Sequence, residues 1–69
     1  MQIQTEGQRF IRLPEVRNLT GLGRSQIYAM ALAGKFPSPI KLSERCSAWV
    51  EGDVRRWIAE RIAAARAAA

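Results

Sequence analysis

The sequence predicts a mainly α-helical domain that carries one small β-hairpin. Apolar residues recur at helical spacing in three segments, each opened or closed by proline, glycine or an acidic pair. Between the second and third segments, Phe36 to Val50 breaks that rhythm and holds two short strand-like runs around a polar turn. With 69 residues, 48% of them apolar, the chain has room for one domain and enough apolar side chain for a small core.

Residues 1–8 are polar, include Gly7, and are expected to form a flexible N-terminal arm. Phe10, Ile11 and Leu13 mark the start of the core as a short extended segment. Pro14 opens the first helix, expected over 14–20, because a first-turn residue needs no N–H. Glu15 suits the positive end of the helix dipole, Val16 and Leu19 supply apolar contacts, and Gly21 is a natural C-terminal cap. After a turn at Leu22 and Gly23, a second helix runs from Arg24 to about Ala33 and buries Ile27, Met30 and Ala31; Gly34 ends it. Two short helices joined by a glycine-flanked turn make a helix-turn-helix candidate.

Phe36, Pro37 and Pro39 stop the helical pattern. Ile40–Leu42 and Ser47–Val50 then read as strands around a four-residue turn, Ser43 to Cys46, the size of a wing. The last helix is expected from Gly52 to Ala65, with Glu51 and Asp53 at its start and Val54, Trp57, Ile58, Ile62 and Ala65 on its buried face. Residues 66–69 are expected to fray. Assembled, this is a winged helix-turn-helix: three helices plus a two-stranded wing, one domain over 9–65.

The net charge is +5, and most of the excess precedes the last helix: Arg9, Arg12, Arg17, Arg24, Lys35, Lys41 and Arg45 stand there against Glu6, Glu15 and Glu44. Such a balance favours a polyanionic partner, although it also serves ordinary solubility. Nine of the basic residues are arginine and two are lysine. The planar fork of arginine matches phosphate and guanine. There is no histidine and a single cysteine, Cys46. A Ser–His or Cys–His pair, an internal disulfide and a Cys/His zinc site are therefore excluded. No glycine-rich phosphate loop is present. The chain reads as a non-enzyme, with no cofactor and no metal, and fits a reducing cytoplasm. No apolar run approaches a membrane span.

Two constellations point to double-stranded DNA. On the second helix, Ser25, Tyr28, Ala29 and Leu32 point away from the core, while Arg24 and Gln26 reach outward from the first turn. Arginine can bridge guanine, glutamine can bridge adenine, and serine or tyrosine can hold phosphate. The alternative is a polar helix start that merely faces solvent. On the hairpin, Lys41, Ser43 and Arg45 make a basic loop able to reach a minor groove or the backbone; an exposed turn is the alternative. Lys35, just past the second helix, completes the set of expected DNA contacts. Trp49, Trp57, Phe10 and Phe36 read as core, not as base-stacking platforms. Cys46 reads as incidental, and Arg55 and Arg56 as a solvated face.

The runs Arg12-Leu13-Pro14-Glu15-Val16, Thr20 to Tyr28, Gly34-Lys35-Phe36-Pro37, Pro39-Ile40-Lys41-Leu42 and Trp49 to Trp57 together resemble the AlpA family of prophage and genomic-island regulators. The likeness covers roughly residues 9–62. That family is excisionase-like and related to MerR-type winged helices. The resemblance implies that the second helix lies in the major groove through Arg24, Ser25, Gln26 and Tyr28, with wing contacts at Lys41 and Arg45. Two departures stand out. Gly23 replaces a serine common in relatives, which removes a hydroxyl cap. Ala29 and Met30 replace a basic residue often found there. The implied role is a sequence-specific transcriptional regulator of a prophage or integrative element, with RNA polymerase as a partner. One alternative is an excisionase that bends attachment-site DNA and recruits an integrase; another is a protein-interaction adaptor or antirepressor. With too few heptads for a coiled coil, a monomer is expected.

Overall fold

The computed structural model describes residues 8–68. In chain order the elements are β1 (Phe10–Ile11), α1 (Leu13–Thr20), α2 (Arg24–Leu32), β2 (Ile40–Ser43), β3 (Cys46–Val50) and α3 (Glu51–Ala68). The expected winged helix-turn-helix is thus present, with one addition. β1 is a true strand that pairs antiparallel with β3, so the wing belongs to a three-stranded sheet of order β1-β3-β2. Of the expected arm at 1–8, all but Gln8 lies outside the described residues.

Local chemistry sets the ends of α1 and α2. Pro14 stands in the first turn of α1, and Gly21 closes it at φ 76°, its N–H donating to the Arg17 carbonyl at 2.8 Å. The Thr20 hydroxyl then serves the turn twice: it donates to the Val16 carbonyl at 2.8 Å and accepts from the Leu22 N–H at 3.2 Å. After α2, Gly34 takes φ 78°. Its N–H donates to the Ala31 carbonyl at 3.1 Å, and the Lys35 N–H donates to the Met30 carbonyl at 2.7 Å. This pair of bonds is a Schellman ending, and it turns the chain sharply away from the helix axis.

The core consists of Ile11, Val16, Ile27, Phe36, Trp49 and Val54, with Leu13, Leu19, Leu22, Met30, Trp57 and Ile58 packed around it. One residue or more comes from every helix and from β1 and β3. Burying each large apolar side chain contributes about 1.5–3 kcal/mol, so a core this small depends on every member. The two indoles also fasten the α2–β2 connection. Trp49 Nε1–H donates to the Pro37 carbonyl at 2.9 Å, and Trp57 Nε1–H donates to the Lys35 carbonyl at 2.8 Å. Phe36, between the two bonded carbonyls in sequence, meets the Trp57 ring edge-on, with centroids 4.8 Å apart.

Several expectations need correction. Phe10 is 52% exposed rather than core, because in β1 it alternates with Ile11, and only one face of the strand meets the helices. Ile62, on the expected buried face of α3, is 44% exposed, and Ala65 is exposed too: the helix continues to Ala68, past the body against which its first half packs. The wing turn is shorter than four residues. Ser43 and Cys46 pair with each other, leaving Glu44 and Arg45 as the turn, and the register slips between Lys41 and Ser43. No non-glycine residue among those described has positive φ, so this is not a primed hairpin turn; the irregularity after Lys41 accommodates the twist instead.

One clasp was not apparent from sequence pattern. Glu51, the first residue of α3, is only 6% exposed. Arg9 Nε–H donates to its Oε1 at 2.6 Å, Arg55 Nε–H donates to Oε2 at 2.9 Å, and the Glu51 N–H donates to the Arg9 carbonyl at 2.7 Å. Hydrogen bonds from Arg9 and then Arg55 hold the Glu51 carboxyl below the ordinary glutamate value of 4.5, against the opposing effect of burial. Glu15 accepts a further bond from Arg9 at 3.2 Å.

Candidate nucleic-acid interface

The expected recognition residues lie on the exposed side of α2. Arg24, Ser25, Gln26 and Tyr28 are all exposed, while Ile27 and Ala31 turn inward. Leu32 is 92% exposed. With Gly23 as the N-cap there is no hydroxyl to bond the first-turn N–H groups. Half of a capping box remains: Gln26 Oε1 accepts from the Gly23 N–H at 3.3 Å. Its carboxamide oxygen is thus turned back to the helix start.

Tyr28 joins the helix to the sheet. Its ring lies 5.8 Å from that of Trp49, tilted by 59°, and the Arg24 guanidinium lies over it at 5.6 Å from the centroid. Tyr28 thus links exposed Arg24 on α2 to buried Trp49 on β3.

Beside this stack is a cleft of about 220 Å³, lined by Arg12, Leu13, Pro14, Arg24, Tyr28, Arg45, Ser47 and Trp49. It brings together the two sets that the sequence offers separately, Arg24 and Tyr28 of α2 with Arg45 of the wing tip. It also adds Arg12, which pattern reading does not single out. The signal for Arg12 lies in its charge: it is the N-cap of α1, where a cation opposes the helix dipole. Lys41 pairs with Ser47, so it stands on the same side of the ribbon as Ser47 and Trp49. Ser43 is exposed at the end of β2.

Lys35 is not part of this assembly. It lines a separate, larger groove between the α2–β2 connection and α3, with Trp57, Arg56, Arg61, Asp53 and Glu60 among its neighbours. Acidic groups there offset the cations. Arg55 and Arg56 are engaged by acids of their own helix, Glu51 at 2.8 Å and Asp53 at 3.5 Å. No helix among the described residues is long and apolar enough to cross a membrane, and no group of three or more His, Cys, Asp or Glu residues is placed to hold a metal.

The family described as "Prophage CP4-57 regulatory protein (AlpA)" matches residues 9–62. The "Uncharacterized protein ORF88" of Enterobacteria phage P4 is 45% identical over 56 residues, which is 81% of this chain and 64% of that protein. The chain thus spans somewhat less than two thirds of that relative's length. No solved structure matches it. The fold is consistent with a DNA-binding regulatory protein, and the family match runs across most of the chain: the protein belongs to the AlpA family of prophage regulatory proteins.

Proposed function

We propose that this protein is a sequence-specific DNA-binding transcriptional regulator of a prophage or integrative element, acting in the bacterial cytoplasm on the nucleoid. α2 enters the major groove and presents Arg24, Ser25, Gln26 and Tyr28, while the wing lays Lys41, Ser43 and Arg45 along the neighbouring backbone or minor groove. The observation that carries this reading is the continuity of the face: Arg24 and Tyr28 of α2 share one cleft with Arg45 of the wing. Two elements distant in sequence therefore present their cations on one side, as a duplex with its regular phosphate spacing requires.

Fluorescence anisotropy with duplexes tiled across the gene's own neighbourhood tests it, with a random duplex of equal length as control. A tile bound at least about a thousandfold more tightly than the control is expected. Uniform binding across tiles overturns sequence-specific regulation. A preferred tile at an element end rather than at a promoter would assign the protein to excision, with DNA bending and integrase recruitment in place of action on RNA polymerase.

A further inference from the structure

Arg12, Arg24 and Arg45 come from three separate parts of the chain, the start of α1, the start of α2 and the wing tip, yet they border one cleft. All three are exposed. The ion pairs within 4 Å among the described residues engage Arg9, Arg55 and Arg56 and none of these three. Among the described residues, ion pairing is thus concentrated around Glu51 and the first turn of α3, whereas the cations that border this cleft have no acid partner within 4 Å, as is also true of Arg17, Lys35, Lys41, Arg61 and Arg66. Like charges gathered without an acid repel, and Arg12 also opposes the dipole of its own helix. An anion would relieve both costs.

We propose that this cleft is a seat for one backbone phosphate of the bound duplex, held between Arg12, Arg24 and Arg45. The proposal rests on the DNA-binding reading above and sharpens it. It adds Arg12 to the interface and assigns Arg24 to the backbone rather than to a guanine. Arg24 lies over the Tyr28 ring, both line the cleft with Arg45 of the wing, and Tyr28 is itself in contact with Trp49. A guanidinium so placed meets a phosphate by charge-assisted bonds, without reading sequence. Ser47, also lining the cleft, offers a hydroxyl donor to the same oxygens. Base discrimination then falls to Ser25 and Gln26.

The test uses the full chain, a random 20-bp duplex and the most tightly bound genomic tile, with affinities taken by anisotropy at two salt concentrations. Arg12→Ala, Arg24→Ala and Arg45→Ala are compared with Arg66→Ala, an exposed cation near the far end of α3. Thermal melting confirms that each variant is folded, and Arg12→Gln serves as a second variant at the helix start. Each cleft variant is expected to weaken both duplexes by the same factor, about tenfold or more, and to flatten the salt dependence. Arg66→Ala is expected to bind as the wild type does. Wild-type affinity for the random duplex in Arg12→Ala and Arg12→Gln overturns the phosphate seat while leaving DNA binding intact. A loss in Arg24→Ala confined to the preferred tile overturns its assignment to the backbone. Equal losses in Arg66→Ala and Arg12→Ala also overturn the seat, since bulk charge would then suffice. Failure of the wild type to bind either duplex removes the DNA-binding reading itself.

Discussion

Around the apolar core, single polar side chains fasten elements that lie far apart in sequence. Glu51 is the sharpest case: one carboxylate, nearly buried, joins Arg9 before β1 to Arg55 on α3. Its folded pKa lies below the ordinary value of 4.5, so ionised Glu51 favours the folded state. That contribution is complete above the ordinary value and disappears as pH falls through the lowered one. Melting temperatures followed from neutral into acid solution should therefore fall more steeply below pH 4.5 for the wild type than for Glu51→Gln, which should melt lower at neutral pH. Parallel acid profiles would assign the acid sensitivity to other carboxylates. Trp49 makes a comparable point in the core. Trp49→Phe keeps an aromatic ring but removes the donor to the Pro37 carbonyl, and the unpartnered carbonyl alone should cost about 1–3 kcal/mol in a denaturant titration. An unchanged midpoint would mean that water replaces the bond.

At the scale of elements, the turn between α1 and α2 contains two glycines with opposite reasons to be there. Gly21 has φ 76° and open space around it, so Gly21→Ala pays only backbone strain, about 1–2 kcal/mol. Gly23 has an ordinary φ of −80°, and a Cβ there would meet nothing closer than Gln26 Oε1 at 4.0 Å. Gly23→Ser should therefore stabilise by a few tenths of a kcal/mol through a restored cap. Circular-dichroism melts of the two variants should shift in opposite directions; a shift of the same sign would show that Gln26 already satisfies the helix start. These helix ends were legible in the sequence because proline and glycine act within a few residues of where they stand. β1 was legible only as an extended segment, since a two-residue strand exists by virtue of its partner 39 or so residues away in β3. The apolar period of α3 overran its packing partner, which is why Ile62 was expected inside. The cleft was half legible: α2 and the wing announced their cations, but Arg12 joins them, and Glu51 meets Arg9 elsewhere, only because the fold brings those neighbours near.

Across the whole molecule, packing and charge are divided unevenly along α3. Its first half supplies Glu51, Val54, Trp57 and Ile58 to the body, whereas every residue from 63 to 68 is exposed. The family match likewise ends at residue 62. Alanine has the best intrinsic helix propensity, so these turns can persist without packing, but propensity alone contributes little to the stability of the domain. Neither do they reach the arginine cleft, which is built from α1, α2 and the wing. Removing residues 63–69 should then leave both the melting temperature and the random-duplex affinity close to those of the full chain. Light scattering should report a monomer for both. A stable dimer of the full chain that the truncation dissolves would give the alanine-rich turns a different role, an interface between copies. In that case the spacing of paired DNA sites would follow from the dimer's two-fold axis rather than from independent monomers binding side by side.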